Sequence, residues 1–159
     1  MARIIMVTGA QGTGKTTVAH AMAGELPGHV VFDMDSIIDH ASALANRNIN
    51  TRPEAWPTYN NLWLSILKAV CDNGFTPVLF TPIHPEELKV PEWCDQVTWI
   101  GLNCTETRLR ERLAGRNWDP GQIDEAVDDL VHTRDTVADL VDTSSATLAD
   151  VCQTIKKLI

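Results

Sequence analysis

No two of the four cysteines (Cys71, Cys94, Cys104, Cys152) stand in a CxxC pair. That scatter argues against a zinc site and for reduced thiols, as expected of a cytosolic chain. No apolar run approaches the ~18 residues that span a membrane. The opening "MARIIMVTG" has no cleavable signal pattern. Cations are in the minority, with 13 Lys and Arg against 21 Asp and Glu and a formal net charge of −8. Phosphate backbones demand clustered Lys and Arg, so a nucleic-acid partner is disfavoured, as is an anionic membrane surface. No repeat and no low-complexity linker divides the chain. The expected location is therefore cytoplasmic and the expected partner a small molecule; the oligomeric state is left open.

Of 159 residues, 44% are hydrophobic, enough to bury one substantial core. The sequence predicts a single domain over residues 1–159. "RIIMVT" (residues 3–8) is a short apolar strand. Val18, Met22 and Leu26 recur every four residues, as on one face of a helix that Pro27-Gly28 would stop. "HVVFDMD" reads as a second strand, and residues 36–46 as a helix. Tyr59, Trp63, Ile66, Leu67 and Val70 share a helical face closed by Asn73-Gly74. "TPVLFT" and "QVTWIGL" are further strands. "TETRLRERLAGR" is a charged helix, and residues 121–138 form an acidic helix-like stretch. "ADLVDTS" holds a short last strand. Leu148, Val151, Ile155 and Leu158 mark a final helix opened by a Thr147-x-x-Asp150 capping box. Strands alternating with helices imply an α/β fold with a parallel sheet covered on both faces.

The most specific stretch is "TGAQGTGKT" (residues 8–16), in which Gly9, Gly14, Lys15 and Thr16 fit G-x-x-x-x-G-K-[ST]. A loop that turns backbone N–H groups inward around a phosphate needs glycines, which let the anion approach the main chain. The helix opening at Lys15 adds its positive dipole end. Lys15 supplies a point charge for the β and γ phosphates, and Thr16 a hydroxyl for Mg²⁺. Gly9, Gln11, Gly12, Thr13, Gly14, Lys15, Thr16 and Thr17 are the expected nucleotide-binding segment, with ATP and Mg²⁺ as cofactors. The loop specifies a nucleoside triphosphate site, not a reaction.

With GAQGTGKT, Asp33-Met34-Asp35 and Arg112-Leu-Ala-Gly-Arg116, the chain resembles the P-loop kinases of the nucleoside-monophosphate-kinase and shikimate-kinase group. "LFTPIHPEEL", "LRERLAGR" and "DTSSATLADVCQTI" are similar to the tunicamycin-resistance ATP-binding proteins, and "DMDSII" to chloramphenicol phosphotransferase. The resemblance implies a three-layer P-loop kinase fold with a mainly parallel five-stranded sheet. It also implies an acceptor region near residues 36–63 and a small lid near 112–124. It assigns Asp33 to Mg²⁺ through water and Asp35 to the acceptor.

Strand alternation would put Asp33 and Asp35 on one side if the strand runs that far. Asp35 then orients or deprotonates an acceptor hydroxyl; its simpler role is to cap the helix beginning at Ser36. Arg108, Arg112 and Arg116 recur every four residues. Glu111 can pair with Arg108 and Glu106 with Arg110, whereas Arg112 and Arg116 lack helical acid partners. Guanidinium suits stacking and bidentate phosphate binding. Arg112 is therefore expected on the adenine and Arg116 on the β and γ phosphates; a solvated face is the plainer reading. The third strand offers no acid until Glu86. His84, just past that strand, is a candidate for acceptor contact or a turn residue without a role. Arg52 and Trp56 are acceptor candidates. Trp63 is expected in the core, Trp93 and Trp99 around the sheet, and the acidic stretch 124–142 in solvent.

The reading is an ATP-dependent phosphotransferase that moves the γ-phosphoryl group to a nucleoside, nucleotide, metabolite or antibiotic. Lys15, Asp35 and Arg116 would be its catalytic groups. Two alternatives are an ATP-binding resistance protein that sequesters a molecule unchanged and an NTP-hydrolysing regulator.

Overall fold

The computed structural model describes residues 1–159. Five strands form one sheet: β1 (Arg3–Thr8), β2 (His29–Asp33), β3 (Thr76–Phe80), β4 (Gln96–Asn103) and β5 (Leu140–Asp142). Their spatial order is β2-β3-β1-β4-β5, and every neighbouring pair is parallel. Parallel strands require crossovers, which the helices provide. These are α1 (Lys15–Met22), α2 (Ile38–Leu44), α3 (Trp56–Asp72), α4 (Glu106–Ala114), α5 (Pro120–Thr136) and α6 (Leu148–Leu158).

The central strand β1 is apolar without alternation because both its faces are covered. Ile4 and Met6 join a core with Tyr59, Trp63 and Leu67 of α3. Ile5 and Val7 join the opposite core with α1 and α6 through Val18, Met22, Val151 and Ile155. A third cluster packs α4 on α5 through Leu109, Leu113, Ile123 and Leu130. Trp63 is 2% exposed, and truncating such a side chain to Ala costs about 3–5 kcal/mol. Trp93 and Trp99 pack against the α3-side core, as expected.

Three boundaries differ from the sequence reading. Helix α1 ends at Met22, not Pro27, because Gly24 adopts φ 78°. Leu26 still packs on the same core from the following loop. Strand β2 stops at Asp33, and Met34–Ile37 turn into a 3₁₀ helix. Helix α4 stops at Ala114 and α5 starts at Pro120, so the expected lid contracts to the connection 115–119. Arg116 therefore lies past the helix end instead of continuing a stripe with Arg108 and Arg112. No helix is long and apolar enough to cross a membrane.

Candidate active site

The loop between β1 and α1 leaves the sheet at its carboxyl edge beside β3 and β4, where open parallel sheets bind ligands. Gly9 is required by close approach: a Cβ there would lie 2.8 Å from the Leu102 carbonyl oxygen and 2.9 Å from Thr13 Oγ1. Gly14, at φ 102°, turns the chain into α1. The backbone N–H groups of Gln11, Gly12, Gly14, Lys15, Thr16 and Thr17 donate to no backbone acceptor. A concavity with that many unspent donors at a helix start is an anion site.

The loop is braced from outside. Thr13 Oγ1 donates to the Ala10 carbonyl at 2.7 Å. Thr143, just past β5, donates its hydroxyl to the Thr13 carbonyl at 3.0 Å. Arg112 donates to the Gly12 carbonyl at 3.1 Å and to Thr143 at 3.2 and 2.6 Å. The edge of its guanidinium thus ties α4 and the β5 end to the loop. The pairings expected on α4 form: Arg108 with Glu111 at 3.1 Å and Arg110 with Glu106 at 2.8 Å.

A cleft of about 320 Å³ opens over the loop, lined by Gln11, Gly12, Gly14, Lys15, Thr16, Thr17, Asp35 and Arg116. It brings Lys15, Asp35 and Arg116 together although they come from three separate segments. Arg116 makes no ion pair and no side-chain hydrogen bond within the chain. Lys15 is 8% exposed, and its ammonium donates to the Gly9 carbonyl and, at 3.0 Å, to that of Ala10. Burial holds its pKa below the usual lysine value, against the pull of Asp129, Asp35 and Asp33.

The aspartate pair is set by Met34, which is fully buried between the two carboxylates. Tyr59 Oη donates to the Met34 carbonyl and ties this turn to α3. Because β2 ends at Asp33, the pair does not share a strand face. Asp33 is the cap, accepting from the Asp35 N–H at 3.1 Å. This corrects the assignment of capping to Asp35. Partial burial in the cleft and repulsion from Asp33 push the Asp35 carboxyl above its ordinary pKa, while Lys15 opposes them.

Three acceptor candidates sit differently from expectation. His84 is 5% exposed, and its Nε2 lies 2.6 Å from Asp129 Oδ1. Buried and engaged by α5, it is a positioning group and not a contact for an acceptor. Arg52 pairs with Glu54 in solvent at 3.5 Å. Trp56 packs edge-on against Tyr59 at 5.9 Å as part of the core margin. Neither lines the cavity of the acceptor region. That cavity, about 790 Å³, lies between α2 and α3. Ile37, Ala41, Leu44, Ala55, Tyr59 and Leu62 make most of its wall, with His40, Arg47 and Glu54 as polar points. Arg47 and Glu54 were not anticipated, since nothing local marks them. Asp129 was also missed within an acidic stretch read as solvated. Its signal was position: it flanks the buried face of Ala126, Leu130 and Thr133.

No cluster of three or more His, Cys, Asp or Glu is placed to chelate a metal. The donor set instead fits a Mg²⁺ held by phosphate oxygens and the Thr16 hydroxyl, with carboxylates acting through water.

An all-parallel sheet in this order, with a G-x-x-x-x-G-K-T loop leaving its central strand, defines the α/β fold of the P-loop kinases. The chain belongs to the family described as AAA domain, which matches residues 5–131. No curated protein matches the sequence significantly. Three solved structures share the fold at low identity. The tunicamycin resistance protein of Deinococcus radiodurans is 19% identical at a TM-score of 0.69, covering 99% of this chain and 95% of that one. A sugar kinase from Janibacter sp. HTCC2649 is 17% identical at 0.67, with 99% and 94% covered. Shikimate kinase from Bacteroides thetaiotaomicron is 17% identical at 0.62, with 99% and 97% covered.

Proposed function

We propose that the protein is an ATP-dependent phosphotransferase acting on a hydroxyl of a small molecule. The observation that carries this reading is the convergence of Lys15, Asp35 and Arg116 on one cleft above a loop of unspent N–H donors. A hydrolase needs only the loop, a metal and a positioned water. A carboxylate with an upward-shifted pKa, facing the loop from the acceptor side, is what a transferase adds. In the transfer, the acceptor oxygen forms a bond to the γ phosphorus as the bond to the β–γ bridging oxygen breaks. The acceptor proton passes to Asp35, and ADP leaves. Lys15 exchanges its two carbonyl partners for phosphate oxygens, and Arg116 closes on the transferred group. Arg112, fixed by its edge, offers its face to the base. Mg²⁺, held through Thr16 and by water to Asp33, supplies charge neutralisation at the phosphates.

The acceptor lies between α2 and α3. The cavity there has the size of an ordinary ligand pocket. Its mainly apolar wall favours an acceptor with an apolar body and few polar groups over a small polyol. His40, Arg47 and Glu54 would supply the orienting contacts. Its link to the chemistry is short, since Ile37 lines the cavity two residues after Asp35. The test is a paired thermal-shift and ADP-release screen with nucleosides, nucleotides, sugars and apolar-bodied antibiotics. A compound that stabilises the protein and is consumed in step with ADP release supports the reading. Stabilisation without turnover across the whole set would favour ATP-linked sequestration.

A further inference from the structure

Strand β3 carries no acid where many P-loop proteins place one beside the metal. After Phe80 come Thr81, Pro82, Ile83 and His84. Thr81 is fully buried next to the loop strand, its N–H donating to the Val7 carbonyl at 3.0 Å. His84 follows at the same sheet edge and is 5% exposed. A buried imidazole there needs a partner, and it finds one 45 residues away, with Nε2 2.6 Å from Asp129 Oδ1. The carboxylate is not sealed in, since the Asp129 side chain stays 35% exposed. One of its oxygens takes the imidazole; the other is unbonded within the chain. Of the acids acting on the Lys15 ammonium, Asp129 pulls hardest, ahead of Asp35 and Asp33. Helix α5 thus brings a carboxylate to the phosphate loop from the side on which β3 offers none.

The histidine fixes that carboxylate. Its main-chain N–H is held by the Glu87 carboxylate at 2.7 Å. Its ring lies edge-on to His132 with centroids 4.5 Å apart, and His132 in turn bonds Glu86. Two contacts from the β3–β4 connection to α5 therefore hold Asp129 in place. An acid aimed only at solvent would need no such support.

We propose that Asp129, positioned by His84, is the carboxylate through which the protein holds the hydration shell of a nucleotide-bound Mg²⁺, in the place of the acid missing from β3. Asp33 and Asp129 would then flank the phosphate end from β2 and α5. The inference rests on the nucleotide site but not on phosphoryl transfer.

The experiment is titration calorimetry of ATP into the wild type, Asp129→Asn, His84→Ala and Asp128→Asn, each in Mg²⁺ and in EDTA. Asp128 is an exposed acid on the same helix and serves as control. Loss of an outer-shell metal partner costs roughly 10–100-fold in affinity. Asp129→Asn should lose that much for ATP in Mg²⁺. In EDTA it should bind ATP as well as the wild type or better, because a negative charge near the triphosphate is gone. His84→Ala should shift affinity in the same direction but less, and Asp128→Asn should not differ from wild type. Equal weakening of Asp129→Asn in both media would make the residue merely structural and overturn the proposal. So would unchanged affinity in Mg²⁺, or a wild type indifferent to Mg²⁺. Because only nucleotide binding is read, a protein that shows this sign reversal yet phosphorylates nothing would refute the transferase reading and leave this inference standing.

Discussion

Replacing Asp35 by Asn separates chemistry from architecture. The substitution keeps the side-chain shape and removes the charge and the proton acceptor. The 3₁₀ helix that follows β2 is capped by Asp33, not Asp35. No cap is therefore lost, and the usual ~1 kcal/mol penalty does not arise. The direction of the stability change follows from the raised pKa. A carboxyl whose folded pKa lies above its unfolded value of about 3.9 binds its proton more tightly when folded. Stability then falls as pH rises through the window between the two values, and the whole penalty is present at neutral pH. Removing the charge should leave the unliganded protein at least as stable as wild type at pH 7, with no such gain at acid pH. Transfer should fall ~10²–10⁴-fold, the usual contribution of a positioned base, or roughly 3–5 kcal/mol at ~1.4 kcal/mol per decade. The assays are thermal unfolding and single-turnover transfer with ATP, Mg²⁺ and acceptor saturating. The wild-type rate should also fall with acid along a limb lying above the ordinary carboxylate range. A variant that transfers within about threefold of wild type would refute the catalytic role of Asp35.

Arg116→Ala should lower kcat by roughly 10²–10³-fold with a smaller rise in the KM for ATP, because an unpaired cation over the cleft acts mainly on transition-state charge; steady-state kinetics checks the split. Arg112→Ala should both weaken ATP binding and destabilise the unliganded fold by about 1.5–3 kcal/mol, since charged hydrogen bonds to Gly12 and Thr143 are lost. Denaturant titration without nucleotide reads the second effect, and no change there would dissolve the brace. Gly9→Ala should cost on the order of 1–3 kcal/mol through overpacking against Leu102 and Thr13. Retention of wild-type stability and ATP affinity would show that the loop tolerates a Cβ.

What was legible in the sequence was local. The β1–loop–α1 unit, the buried face of α3 closed by Asn73-Gly74, and the Thr147/Asp150 box on α6 all declare themselves within a few residues. The sheet followed from alternation of strands and helices. Arg116 could be singled out because it lacked an acid partner, although its place past the α4 end was hidden by a repeat that continues beyond the helix. Contacts spanning long stretches of chain were not legible. His84 meets Asp129 across 45 residues, and Thr143 meets the loop across 130. No pattern within a window of helix or strand length encodes either meeting. The acceptor cavity was misassigned for a related reason. Arg52 and Trp56 looked suited by residue type, but the packing of α2 against α3 turns Arg47 and Glu54 toward the space instead.

The central claim concerns where the γ-phosphoryl group goes. The direct measurement is to incubate the protein with Mg²⁺, γ-labelled ATP and the acceptor that emerges from the screen, and to follow the label by mass spectrometry. The account predicts label on an acceptor oxygen, in step with ADP, and its loss in Asp35→Asn and Lys15→Ala. Label recovered solely as inorganic phosphate, at a rate the acceptor does not change, would contradict it.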